Sequence, residues 1–151
     1  MKPRHVVDAP RKQEVRARLR ERLAARPEVR FAYVHGSFLE HEAVGDVDVA
    51  VSVEPGGVPG DDVMTYELAL EGVLEQGLGV PVDVRVLEDA PVSFRYAVTR
   101  GETLFVRDPE AWALFRERTW TAYLDFAPLR AEVLRDLTGR VPPSTRPGRA
   151  R

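Results

Sequence analysis

Hydrophobic and polar residues alternate strictly in one segment of the chain. Residues 46–53 read Asp-Val-Asp-Val-Ala-Val-Ser-Val, and this period of two predicts a strand, since successive side chains of a strand point to opposite faces. The valines would cover one face, and Asp46, Asp48, Ala50 and Ser52 would lie on the other. Three more short alternating or β-branched segments predict strands: 29–34, 82–87 and 103–106.

Helical spacing of apolar residues appears between these segments. Val15, Leu19 and Leu23 form a narrow apolar stripe on a charged helix predicted over 11–26, which Pro27 ends. A second helix is predicted to begin at Asp61 or Asp62 and to end at Gly77 and Gly79, with one apolar face: Val63, Tyr66, Leu70, Val73 and Leu74.

Three further helices complete the prediction. A single helical turn is expected over 38–43 and a helix over 93–100, ended by Gly101. A long helix is predicted from Pro109 to about Leu137, bent or broken at Pro128. Helices and strands in this order predict an α/β (α+β) domain over residues 1–137 with a small mixed sheet.

Composition and charge narrow the possible functions. The 151 residues are enough for one domain, and the formal net charge of -2 gives no reason to expect direct binding of nucleic acid. Without cysteine, thiolate metal sites and thiol nucleophiles are excluded. No signal peptide or membrane span is visible, so we expect a cytoplasmic protein without a membrane partner. Residues 138–151, rich in proline and arginine, predict a disordered basic tail.

The candidate chemistry lies in three carboxylates. Asp83 belongs to the predicted strand 82–87. If this strand is a neighbour of strand 46–53, Asp83 lies beside Asp46 and Asp48. Three ionised carboxylates at one place repel unless a cation neutralises them, and oxygen ligands favour Mg²⁺ or Mn²⁺. The alternative for Asp46 and Asp48 is the solvated face of an antiparallel strand.

Gly36 and Ser37 supply a second candidate feature. Glycine lets the backbone approach a ligand closely, and N–H groups that open a short helix attract phosphate, to which the Ser37 hydroxyl adds a donor. The alternative is structural, because residues 37–40 also fit a helix capping box. Arg95 and Arg85 would reach a phosphate or pair with a carboxylate, although an exposed helical arginine is the commoner explanation for Arg95.

Taken together, these residues resemble a known family. Gly36-Ser37, a spacer, then Asp46-Val47-Asp48 on a strand and Asp83 on a neighbouring one is similar to the signature of the minimal nucleotidyltransferases of the DNA polymerase β superfamily. Segments 89–96, 101–108 and 123–126 resemble the second half of MntA-type antitoxins, so that the resemblance covers roughly residues 29 to 135.

The resemblance implies a fold and a reaction. It implies a polymerase β-like nucleotidyltransferase fold with helices on one face of the sheet and a long C-terminal helix. Gly36 and Ser37 would hold the triphosphate of ATP, Asp46 and Asp48 would bind two metal ions, and Asp83 would complete one metal site and help to deprotonate the acceptor. The acceptor in such pairs is a tyrosine of a HEPN-domain ribonuclease toxin, which AMP addition silences.

Two other functions stay open from the residues alone. One is nucleotidyl transfer to a small hydroxylated molecule, which normally needs a larger acceptor domain. The other is a non-catalytic module that blocks its partner sterically, against which the three carboxylates and Ser37 argue. A partner surface is expected on the last helix, whose aromatic residues exceed what one face buries: Trp112, Phe115, Trp120, Tyr123 and Phe126.

Overall fold

The fold is taken from a computed structural model that describes residues 4–138, with side chains described as far as Asp125. In chain order the strands are β1 (His5–Val6), β2 (Val29–His35), β3 (Ala43–Val44), β4 (Val47–Val53), β5 (Val82–Val86) and β6 (Glu102–Val106). The helices are α1 (Ala9–Ala24), α2 (Ser37–Glu40), α3 (Val63–Glu75), α4 (Val92–Thr99) and α5 (Pro109–Thr138), with a short 3-10 turn at Pro59–Asp61.

The central sheet is small and mixed, as predicted. Its strand order is β5-β4-β2-β6, with β4 parallel to β5 and the other two pairings antiparallel. All four predicted strands form, and all five predicted helical segments form with shifted ends. Strands β1 and β3, which pair with each other, were not predicted, because two residues are too few to show a period.

Helices α1 and α3 cover one face of the sheet. The stripe of α1 is fully buried there, as predicted, against the valines of β4. On α3, Tyr66, Leu70 and Leu74 are buried, but the expectation for Val73 was wrong: its side chain is 39% exposed. Periodicity gives the direction of a side chain, whereas the width of the buried stripe depends on how closely α3 lies on the sheet.

The opposite face is covered in part by α4 and α5. A second apolar cluster forms here from Phe31, Tyr33 and Ala50 of the sheet, with Phe94 and Phe115 packed against it from the two helices. Helix α5 continues through Pro128, so of the two expected possibilities, a bend or a break, the break is wrong: one lost hydrogen bond does not end a helix of 30 residues. The predicted tail, 138–151, lies outside the described residues beyond Thr138.

Two backbone N–H groups on the outer side of the edge strand β5 donate hydrogen bonds to side chains. Glu71 accepts a hydrogen bond from the N–H of Val84 at 2.9 Å, and Glu67 accepts one from the N–H of Val86 at 2.8 Å. Free N–H groups on an edge strand are a template for unwanted strand pairing. The two glutamates of α3 therefore protect the strand that carries Asp83.

Candidate active site

The backbone register brings the predicted carboxylates together. Asp48 on β4 is the direct partner of Asp83 on the parallel strand β5, and of His35 on the antiparallel strand β2. Neighbouring strands lie about 4.8 Å apart, so the two aspartates start from adjacent backbone positions. Asp46 immediately precedes β4, two residues before Asp48 and on the same face. All three aspartates are half-buried.

Gly36 lies directly against Asp48. It follows β2 with a φ of 82°, a conformation that side chains with a Cβ rarely adopt. A Cβ placed there would collide with Oδ2 of Asp48 and would lie 3.4 Å from its Cγ. Both the backbone conformation and the space therefore require glycine, and the turn after β2 is packed onto a candidate ligand.

Ser37 does not act as a helix cap. The residue at the N-terminal cap of α2 is Gly36, and α2 has no hydrogen bond from a capping side chain. The capping-box interpretation of residues 37–40 is therefore wrong. Ser37 is the first residue of α2 and directly follows the glycine that packs on Asp48.

His35 connects the carboxylates to an aromatic wall. Its ring meets Phe94 of α4 edge to face, with 5.5 Å between centroids, and its Nε2 is buried without a hydrogen-bond partner in the described part of the chain. Burial lowers the pKa of His35; the Asp83 charge opposes this shift and Arg85 adds to it. The imidazole is thus neutral at neutral pH beside the acidic residues, a feature that no local sequence pattern predicts.

Arg85 does not pair with a carboxylate among the residues the structure describes. Its guanidinium lies over the ring of Phe94, 5.2 Å from the centroid, and the side chain is otherwise exposed. Arg95 lies on the same helix as Phe94 but lines the cleft between α4 and α5, with Phe115 on the opposite wall. Within the described residues, no hydrogen bond or ion pair is seen between Arg95 and the three aspartates. Nucleotide binding by Arg95 therefore stays a prediction.

The donor set fits a hard divalent cation. Asp46, Asp48 and Asp83 offer only carboxylate oxygens, which Mg²⁺ and Mn²⁺ prefer, and the backbone holds them on one face. Among the side chains that the structure describes, no three acidic or histidine residues are placed closely enough to hold a metal ion by themselves. A few protein carboxylates completed by substrate phosphates are the usual way in which Mg²⁺ is bound.

The aromatic residues of α5 divide between core and surface. Trp112 and Phe115 pack against the second apolar cluster, as expected for part of the set. Trp120 remains 38% exposed, although its Nε1 donates to Oγ1 of Thr99 at 3.1 Å. Tyr123 stacks on Tyr96 with 3.7 Å between ring centroids. The side chain of Phe126 lies outside the described residues.

A long apolar helix is not part of this structure. None of the helices within the described residues is both long and apolar enough to cross a membrane.

Solved structures share this fold. One chain of the tri-AMPylated Shewanella oneidensis HEPN toxin in complex with MNT antitoxin is 20% identical, with a TM-score of 0.66 over 84% of this chain and 98% of that one. A chain of the toxin–antitoxin MntA-HepT gives 20% identity and a TM-score of 0.65 over 83% and 98%. A chain of a toxin–antitoxin structure with AMP-PNP gives 20% and 0.66 over 82% and 98%.

Sequence comparison assigns the family. No match is found among the curated proteins. The family model described as polymerase beta, nucleotidyltransferase matches residues 17–110, which include Gly36, Ser37 and all three aspartates. This match spans more than half of the 151 residues, and the sheet register agrees with it. The chain belongs to the polymerase β nucleotidyltransferase family.

Proposed function

We propose that this chain is an antitoxin that transfers AMP from ATP to a tyrosine hydroxyl of a HEPN-domain toxin and thereby neutralises it. The observation that carries the proposal is the register of Asp48 with Asp83, together with the contact of Gly36 on Asp48. Glycine adopts this turn without strain and lets the backbone approach a phosphate closely beside the paired carboxylates. Nucleotidyl transfer needs phosphate and metal held side by side in this way.

Each residue has a defined part in the proposed reaction. Asp46, Asp48 and Asp83 would hold Mg²⁺ or Mn²⁺, which neutralises phosphate charge and lowers the pKa of a bound hydroxyl. Gly36 gives the triphosphate close access to the backbone, and Ser37 donates its hydroxyl to a phosphate oxygen. His35, whose pKa is lowered by burial, adds no positive charge beside the aspartates at neutral pH.

The bond changes follow from this placement. The acceptor oxygen forms a bond to the α-phosphorus of ATP while the bond from that phosphorus to the bridging oxygen breaks. Pyrophosphate leaves, and Asp83 takes the proton of the acceptor hydroxyl. The contribution of the protein is mainly positioning and charge stabilisation, because phosphoryl-type transfers need little covalent participation by the enzyme.

The choice of acceptor rests on two supports. Relatives with this fold are described as a tri-AMPylated HEPN toxin with its MNT antitoxin, and as a toxin–antitoxin with AMP-PNP. In addition, α5 presents large apolar side chains to solvent, with Leu114 44%, Trp120 38% and Leu124 58% exposed. Aromatic and aliphatic groups of this kind are enriched at the centres of protein interfaces. We assign α5 to toxin binding.

The first test is the intact mass of the product of the neighbouring gene, co-expressed with this chain. We expect a gain of one or more AMP units with the wild-type chain and none with the Asp46→Asn, Asp48→Asn double variant. Glu40→Gln is the matched control, since it removes an exposed carboxylate of α2 that is not one of the candidate metal ligands. With purified proteins, a chelator should abolish the gain and Mg²⁺ or Mn²⁺ should restore it.

The alternatives give different outcomes. Unchanged mass with a neutralised partner would refute catalysis and identify a steric binding module. Unchanged mass without neutralisation, but with pyrophosphate release on a small hydroxylated acceptor, would leave the metal chemistry intact and refute the protein acceptor.

A further inference from the structure

A second polar cavity lies between α4 and α5, away from the three aspartates. Its volume is about 300 Å³, within the lower range of small-ligand sites. The residues that matter for its chemistry come from β2, α4, α5 and the loop after β5: Arg30, Leu87, Arg95, Phe115, Arg118 and Thr119. We call it the α4–α5 cleft.

The cleft is at the other end of the sheet from the candidate active site. Arg30 lies near the beginning of β2, whereas His35 and Gly36 lie at its end. Leu87 follows β5, whereas Asp83 lies near its beginning. The apolar cluster around Tyr33 and Ala50 lies between the two ends on the same face of the sheet. A ligand in the cleft would therefore not share the metal site.

The cleft carries an excess of positive charge. Its lining has three arginines and one glutamate, Glu88. That glutamate is already bound by Arg30 at 3.1 Å, by Ser52 at 2.6 Å and by the N–H of Val53 at 3.0 Å. Neither Arg95 nor Arg118 has an ion pair with any residue in the described part of the chain, so two guanidinium groups remain uncompensated.

Two lining residues also carry polar atoms without partners. Within the described residues, Nε of Arg95 and Oγ1 of Thr119 are buried and have no hydrogen bond. Thr119 is only 1% exposed. Buried polar atoms are paired in the great majority of cases, and the exceptions need an explanation such as an absent ligand. These two atoms belong to residues that line the same cleft as the uncompensated arginines.

The remaining wall is apolar. Leu87 is fully buried, and Ala111, Leu114 and Phe115 complete this side of the cleft. A guanidinium binds carboxylate or phosphate through paired N–H groups, and an apolar wall favours a ligand with a hydrocarbon or aromatic body. We propose that the α4–α5 cleft binds a small oxyanion, a carboxylate or phosphate monoester, that carries an apolar body.

The test uses phenyl phosphate and benzoate as probes, in isothermal titration with a chelator present. We expect saturable binding of at least one probe to the full-length chain, weakened at least tenfold in the Arg95→Gln, Arg118→Gln double variant. The single variant Arg118→Gln, at an exposed position, should also weaken binding and guards against misfolding of the double variant. Arg100→Gln, an exposed arginine at the end of α4, should bind as the wild type does.

The outcome is independent of the proposed antitoxin function. The Asp46→Asn, Asp48→Asn variant should keep full affinity for the probe. Loss of affinity in that variant would place the probe in the active site and overturn the proposal. Absence of saturable binding of either probe, or equal affinity in the Arg95→Gln, Arg118→Gln variant, would overturn it as well.

Discussion

One face of β4 carries Asp48 near the beginning of the strand and Ser52 near its end. Polar residues serve different purposes at these two ends. Ser52 is fully buried, yet its hydroxyl accepts from Arg30 at 3.0 Å and donates to Glu88 at 2.6 Å. Arg30 and Glu88 also contact each other. This cluster satisfies its own charges and hydrogen bonds, so its role is to close that end of the sheet.

At the other end, acidic residues are crowded together. Asp48 and Asp83 are adjacent, and His35 next to them keeps a buried Nε2 without a partner in the described residues. Burial raises the pKa of Glu71 on α3; the N–H of Val84 opposes this, and the charges of Asp83, Glu75 and Glu67 add to it. Acidic residues gathered beside a buried imidazole are typical of a functional site.

The largest expected effect comes from Gly36→Ala, which disturbs only the crowded end. A Cβ there meets a positive φ and the carboxylate of Asp48 together. We expect the free energy of unfolding to fall by about 1–3 kcal/mol, the usual cost of such strain. Displacement of Asp48 should lower the rate of AMP transfer at least about a hundredfold, as misplacement by 1 Å does elsewhere. Chemical denaturation and a transfer assay measure the two effects.

Gly56→Ala is the control that separates the cost of a positive φ from the effect of the contact with Asp48. Gly56 has a φ of 78°, close to that of Gly36, but a Cβ there meets nothing within 4 Å. This variant should show the backbone cost alone and keep wild-type transfer. If Gly36→Ala also kept wild-type transfer, the contact with Asp48 would have no part in catalysis.

The comparison also shows what the sequence could predict. The period of two in β4 correctly separates the valines from Asp48, Ala50 and Ser52, because alternation is a local property of a strand. The sequence places the three aspartates together only if β4 and β5 are neighbours. The two strands are neighbours, and Asp48 is the direct partner of Asp83.

What the sequence could not predict depends on contacts between distant residues. Ser52 was expected on the face of β4 that carries Asp48, but its hydrogen-bond partners come from positions 30 and 88, and no local pattern links them. The same holds for the Gly36 contact with Asp48, for the missing cap at Ser37 and for the charges gathered in the α4–α5 cleft. Each of these arises when chain segments meet in the folded protein.

An intermediate effect is expected from Ser52→Ala at the compensated end. Removal of the hydroxyl leaves Arg30 and Glu88 with unmet hydrogen bonds in a buried place. We expect a loss of about 1–3 kcal/mol in the free energy of unfolding. Transfer by the folded protein should not change, because the cluster lies away from Asp48. The exposed Ser93 offers the control Ser93→Ala, which should be neutral. A loss of transfer at full stability would contradict the division between the two ends.

The smallest effect should come from Glu71→Gln, which removes one charge near Asp83 but keeps an oxygen that accepts from the N–H of Val84. Because the folded protein raises the pKa of Glu71 above the ordinary 4.5, the ionised carboxylate lowers stability at neutral pH. The variant should therefore be slightly more stable than the wild type at neutral pH, by less than about 0.5 kcal/mol, the range of surface substitutions.

This advantage should depend on pH and on cations. As pH falls through the raised pKa towards 4.5, Glu71 takes up a proton in the folded state and the wild type recovers the difference. Mg²⁺ bound at Asp83 should reduce the difference at neutral pH, since it neutralises one of the charges that act on Glu71. Thermal denaturation between pH 4.5 and neutrality measures both trends. A difference that is constant with pH would mean that side-chain shape, and not the crowding of charge at this end of the sheet, sets the effect.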